Sequence, residues 1–308
     1  MCYHLLVITP SPDTVRSLRA RWISPRYGVL NVAQLILLNC TVLAWIWQGS
    51  EVVPFLVYLP SAILLCLILQ RQNSEWFHEA AHYNLIPNRT WNDRIADGFL
   101  GTLNGSQIRS YRVGHFRHHA VDAYFLNDDP DTRFLMAESQ GELLRGFWRD
   151  VTGRTALSYY YLSFLEGTES CRAAQKGVWL FWLVGVHSIG FTITVLANRF
   201  WIYPIYFAVL LTLYPVLNRI RSYSQHAAIV SEGRTFLVGS NAARTIHSSM
   251  LERVLLQSSV MMYHHEHHES PTTPWRALRA QSLQLEYQNA FAHSGLNVAW
   301  RVLRGLPK

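Results

Sequence analysis

Four stretches of the chain, at about 27–48, 52–70, 177–198 and 200–217, are apolar at nearly every position rather than at every third or fourth. A helix on a soluble domain keeps one polar face, so runs that are apolar all round predict helices crossing a bilayer, which takes about 20 residues each. The runs come in two pairs. Gly49, Ser50 and Glu51 separate the first two, and a residue or two around Arg199 the second two, so each pair predicts a tight hairpin. Both turns then lie on one side of the bilayer, and the remaining sequence, about 71–176 and 218–308, lies on the other.

Charge orients this arrangement. Of the 27 lysines and arginines, 26 fall outside the two turns, on the side shared by the N-terminus, the long central segment and the C-terminal segment. Basic residues stay in the cytoplasm, so that side is expected to be cytoplasmic. The net charge of +7 needs no nucleic acid as partner; anionic lipid headgroups suit the same residues. Charged residues make up 15% of the chain, against roughly 25% in an average soluble domain, which also favours a membrane protein. The first residues, Met1 to Pro12, lack the features of a cleaved secretory signal, and the arginine-rich basic set fits a bacterial inner membrane better than endoplasmic reticulum. Cys2, Cys40, Cys66 and Cys171 are widely spaced, so neither disulfides nor a cysteine metal site is expected. The expected fold is all-α: a multi-pass membrane protein with four transmembrane helices in two hairpins and a cytoplasmic helical cap, one domain over residues 1–308.

Between the second and third runs, Ile95 to Ile108 is too short and glycine-rich to cross, and predicts an interfacial or re-entrant segment. Ser139 to Trp148 predicts an amphipathic helix, Ser248 to Tyr263 a helix, and Trp275 to Phe291 a last helix over the site.

Candidate chemistry sits just beyond the apolar runs, in three histidine clusters: His78-Glu-Ala-Ala-His82, His115-Phe-Arg-His118-His119 and His264-His-Glu-His267-His268. Imidazole is the commonest neutral metal ligand, and residues three and four apart share one helix face, so each cluster can aim two or three ring nitrogens at one point. His78, His82, His115, His118, His119, His264, His267 and His268 are therefore the candidate ligands, with His226 after the fourth run as a ninth. His265 falls off the shared face. Ligand histidines commonly donate their other ring N–H to a carboxylate, which nominates Glu79, Asp128, Asp129, Asp131 and Glu266 as supporting partners.

The three clusters, and above all Tyr263-His-His-Glu-His-His268 followed by Pro271 and Pro274-Trp275, resemble the histidine boxes of the membrane fatty acid desaturases over about residues 70–280. The resemblance implies two non-haem iron ions held by those nine histidines and the same two-hairpin plan. It implies O2 and two electrons introducing a double bond into an acyl chain carried as a lipid, on coenzyme A or on a carrier protein. Hydroxylases and ketolases belong to the same family and are the alternative. Some acyl-CoA desaturases place an asparagine four residues before the histidine matched by His226; Ser222 stands here. The chain carries no haem-binding or cysteine-cluster segment, so a separate ferredoxin, rubredoxin or cytochrome is the expected electron donor, with Arg112 and Arg117 as docking candidates.

Two other classes compete. His78-Glu79-Ala80-Ala81-His82 also spells the zinc-protease motif, but a protease needs one further ligand rather than six, and the Leu-Asp-Gly element of intramembrane zinc proteases is missing. A metal transporter would place ligands inside the spans. His187 does lie in the third run, where a neutral imidazole bonded between helices explains it as well as function does. His4, His247 and His293 stand alone.

Overall fold

The computed structural model describes residues 25–119, 137, 139–161, 173–226, 229–231, 234–236, 243–258, 261–284, 291–292 and 294–305. The chain is mostly helical. Among the described residues three helices are long and apolar enough to cross a membrane, lying within α1 (Pro25–Val52), α2 (Phe55–Ala81) and α6 (Ala173–Leu196). Their outward side chains are what lipid requires: Leu37, Leu56, Phe181 and Leu196 are each at least 70% exposed.

The first turn is later than expected. α1 continues through Gly49 to Glu51, and the chain reverses at Val53 and Pro54, because proline cannot continue the preceding helix but sets the φ of the next one. The second turn, around Asn198 and Arg199, touches the first: Arg199 pairs with Glu51 and donates to the Trp47 carbonyl at 3.2 Å. The fourth apolar run is not one regular helix. It forms α7 (Ile202–Ala208), a π-helical turn (Val209–Leu213) and α8 (Tyr214–His226) end to end. Pro215 has no amide to bond Leu211, and the wider turn before it absorbs that loss.

The segment from Ile95 to Ile108 packs into the core rather than lying apart. It follows α3 (Arg89–Ile95) as a π-helical turn (Ala96–Gly101) and a single turn (Thr102–Asn104), then leads to α4 (Ile108–His118). Ala96, Leu100 and Ile108 are buried against Trp76, Phe77, Ala80 and Ala81 of α2. A side chain at Gly101 would meet the Ser106 carbonyl at 2.3 Å, so only glycine fits. His187 takes the bland role: its Nε2 lies 3.0 Å from the Thr102 carbonyl, tying α6 to this segment.

The amphipathic helix forms as α5 (Gln140–Val151), capped by Ser139. The C-terminal part departs from expectation more. The helix expected over 248–263 shrinks to α9 (Met250–Leu255), since Ser249 and Glu252 form a capping box but Tyr263 is drawn into a bridge with Thr245. Beyond it come α10 (His264–Glu269), α11 (Trp275–Gln284) and an unanticipated α12 (Gly295–Gly305), which packs on α8. The fold is not purely helical either. Among the described residues two small sheets occur, β1 (Ile229–Ser231) antiparallel to β2 (Arg234–Phe236), and β3 (Thr245–Ile246) parallel to β4 (Phe291–Ala292).

Candidate metal centre

α2 runs unbroken from its apolar stretch into the first cluster, so one rigid helix carries His78 and sets His82 at its end. Tyr83 stops it by turning to φ +61°. Arg112 of α4 then satisfies the freed carbonyls, donating to Ala81 at 2.8 Å and Ala80 at 3.3 Å while paired with Asp93 at 2.7 Å. This removes Arg112 from the docking candidates: its side chain is 11% exposed and serves as a helix cap. Arg117 remains exposed.

α4 begins on the Asp97 carboxylate, which accepts from the Ile108 amide at 2.7 Å, and ends on His115, His118 and the cap residue His119. α10 is fixed by β3: the Ile246 amide donates to the Met262 carbonyl at 2.8 Å, and the Thr245 hydroxyl donates to Glu266. His226 closes α8.

All nine candidate histidines converge, and they sort into two groups whose ligand atoms lie within 4.8 Å of one another. His78, His82, His115, His119 and His267 form the first; His118, His226, His264 and His268 form the second. The clusters do not each serve one point. α4 gives His115 and His119 to the first group and His118 to the second, while α10 gives His267 to the first and His264 and His268 to the second. The histidine-bearing faces of the two short helices thus meet between the groups, with the His119 and His268 rings 4.4 Å apart.

The donor set fits metal. His78 and His267 are 5% and 2% exposed, and neither ring nitrogen of either one has a hydrogen-bond partner. Elsewhere Nε2 faces Nε2, at 2.8 Å between His82 and His115 and 2.6 Å between His226 and His264. Nitrogens bound at about 2.1 Å to one ion and a right angle apart would be about 3.0 Å from each other. Burial first, and the other imidazoles second, hold the pKa of His115, His226, His264, His267 and His268 well below the usual value, and that of His119 at about 2. The rings are therefore neutral at physiological pH, with lone pairs available to a cation.

These two histidine groups are the setting for the comparison with known proteins. The family model for fatty acid desaturases matches residues 15–297. The chain belongs to the fatty acid desaturase family. It is also 28% identical over 253 residues to the dihydrorhizobitoxine desaturase of Bradyrhizobium elkanii, a match covering 74% of this chain and 68% of that one. The protein is thus an oxidoreductase of the desaturase type, and with three apolar helices it is a membrane protein.

Two of the supporting acids, Glu79 and Glu266, lie among the described residues. Glu79 accepts from the Trp275 amide at 3.4 Å and lies 3.7 Å from His78 Nδ1, beyond hydrogen-bond reach. Glu266 is fully buried, holding Thr245 with one oxygen while the other has no partner. Asp128, Asp129 and Asp131 lie outside the described residues. His265 points away, its Nδ1 3.1 Å from the Ala243 carbonyl.

Beside the histidines is a cavity of about 160 Å³, walled in part by His78, His115, His118, His226 and His264. Asn218, Arg221, Ser222 and Gln225 of α8 also line it. Sequence reasoning noted Ser222 but passed over the other three, although the signal was present: with His226 all four recur at i, i+3, i+4, i+7 and i+8, a polar stripe aligned with a ligand.

Proposed function

We propose that this desaturase is an O2-dependent di-iron enzyme that introduces a double bond into the hydrocarbon part of an acyl or related lipid substrate. The observation that carries the reading is the division of nine histidines into groups of five and four around two adjacent points. His78, His82, His115, His119 and His267 would hold one ion, and His118, His226, His264 and His268 the other. When bound, iron supplies the O2 reduction and hydrogen removal that no side chain of this set performs. The balance is R–CH2–CH2–R plus O2, two electrons and two protons, giving R–CH=CH–R and two waters.

The chain's own residues do the rest. Burial keeps the imidazoles neutral and water away from the reacting bond. Tyr111, stacked on His115 with ring centres 5.1 Å apart, fixes one ligand ring. α2 and α8 set His78, His82 and His226 on helices that come from the apolar region, so ligand positions follow from helix packing rather than loop geometry.

Four spans, with about 200–217 as the last, and a single domain over the whole chain agree with this plan. The termini and histidines would lie in the cytoplasm of a bacterial inner membrane, since 26 of 27 basic residues share one side. A separate donor protein would deliver electrons to that side, near Arg117.

Elemental analysis of detergent-purified protein tests the proposal. About two irons per chain are expected, falling sharply in His118→Ala with His267→Ala and unchanged in His265→Ala, with products lighter by two hydrogens. Gain of oxygen instead would favour hydroxylation. One zinc per chain, indifferent to these substitutions, would sink the di-iron reading.

A further inference from the structure

The cavity beside the histidines has a chemistry of its own. At about 160 Å³ it is smaller than the roughly 300–1,000 Å³ of pockets that take drug-sized ligands. Among the described residues no aspartate or glutamate lines it, and apart from the histidines Arg221 is the one basic residue.

Arg221 is incompletely satisfied. One terminal nitrogen donates to Asn218 Oδ1 at 2.6 Å. The other forms an ion pair with the buried Glu75 carboxylate at 3.7 Å without a hydrogen bond, and Glu75 is also engaged by Arg71 at 2.7 Å and by the Ser258 amide at 3.1 Å and hydroxyl at 2.5 Å. Arg221 Nε is buried with no partner, although the side chain is 15% exposed overall. Asn104 Nδ2, in the same cavity, is a second buried donor without an acceptor. A guanidinium with one terminal nitrogen free of hydrogen bonds, and a side-chain amide beside it on the wall of one small chamber, suit an anion rich in acceptor oxygens.

A second cavity of about 180 Å³ shares Ser106, Tyr111, Tyr159 and Tyr160 with the first and reaches Trp179, Leu180 and Leu183 of α6. The two cavities thus share walls, and the second borders the lipid-facing helix.

We infer that the substrate is a free carboxylic acid whose carboxylate seats on Arg221, with Asn104 as a second donor, and that the bond desaturated lies within a few carbons of it. The inference rests on the desaturase reading and narrows it. Coenzyme A and carrier-protein thioesters have no free carboxylate, and their phosphates belong to carriers too large for the chamber. The reaction lies close to the head group because Arg221 shares one chamber with His78 and His226.

The test uses the iron-loaded full chain in lipid nanodiscs, with empty nanodiscs as blank, and calorimetric binding of hexanoate, 1-hexanol and hexyl phosphate. Hexanoate is expected to bind at least about tenfold more tightly than 1-hexanol. Arg221→Gln should abolish that ratio, and Arg221→Lys should keep part of it. Equal affinities for hexanoate and hexanol in the unaltered protein overturn the inference, as does a ratio that survives Arg221→Gln. Tighter binding of hexyl phosphate overturns it in favour of a phosphate-bearing carrier. Should Arg221→Gln not fold, the unaltered protein and Asn104→Ala, expected to weaken hexanoate selectively, decide. Iron measured on the same samples separates the two readings: normal iron without carboxylate preference sinks this inference alone, whereas absent iron sinks the di-iron proposal.

Discussion

Asp150 and Arg219 form a pair whose removal should be costly. Arg219 donates from Nε to Asp150 Oδ2 at 2.6 Å and from a terminal nitrogen to Oδ1 at 3.0 Å, a bidentate contact joining α8 to α5. Asp150 is fully buried, Arg219 is 1% exposed, and the Thr155 hydroxyl donates to Asp150 at 2.5 Å. Asp150→Asn keeps the shape and removes the charge, leaving a guanidinium buried without its counter-ion. Breaking such a pair costs about 3–5 kcal/mol. For a chain of this length, at roughly 2 °C per kcal/mol, the unfolding midpoint in detergent should fall by about 6–10 °C. Replacing both partners with apolar residues, Asp150→Leu with Arg219→Met, should recover most of that loss, because the desolvation cost of two charges disappears along with their attraction. Because Thr155 and Ala156 also line the cavity, Asp150→Asn should weaken substrate binding beyond its thermal effect. A fall of less than about 2 °C in the single variant would falsify the argument, and so would a double variant showing the sum of both single losses.

Two further outcomes follow from local geometry. Gly101→Ala should prevent accumulation of folded protein, measured by size-exclusion recovery after detergent extraction, because its methyl would lie 2.3 Å from a backbone oxygen that cannot move aside; normal recovery would mean the turn is not held as described. Asp97 tests pH dependence, since burial pushes its carboxyl up to about 6, against the counter-effect of the Ile108 amide. A carboxyl raised in the folded state costs stability above that pH, and the cost fades as pH falls through 6 toward its ordinary value. Asp97→Asn should therefore raise the unfolding midpoint at pH 8 and change it little at pH 4.5, and an equal gain at both would refute the assignment.

Much of this could be read from the chain before any coordinates. Apolar runs longer than 18 residues leave helices as the only way to satisfy backbone groups in lipid, so α1, α2 and α6 were legible. The i, i+3, i+4 spacing likewise named the histidines that converge. It could not say that α4 and α10 would each split their ligands, because that depends on the angle at which two short helices meet. The pairing of β3 with β4 was invisible for a related reason: β3 is two residues long and exists only through partners far along the chain. Arg112 misled because charge in a sequence does not show burial; Asp93 and the end of α2 decide its role. Arg221 was overlooked because a basic residue just past an apolar run has an ordinary explanation in membrane orientation.

That α2 continues from its apolar stretch to its ligands without a break makes it a ruler. Eight residues separate Gln70 from His78, a rise of about 12 Å, so the height of the first histidine group over the apolar run is counted out in residues. One residue added there would lift His78 by about 1.5 Å and swing it by about 100° around the helix, out of register with His115 and His267. Below Gln70 the lipid-facing positions, such as Leu56, Val57 and Leu64, can exchange one apolar side chain for another. Relatives built on the same plan should therefore vary widely in that lower stretch while tolerating no insertion or deletion above it, a constraint on spacing rather than on identity.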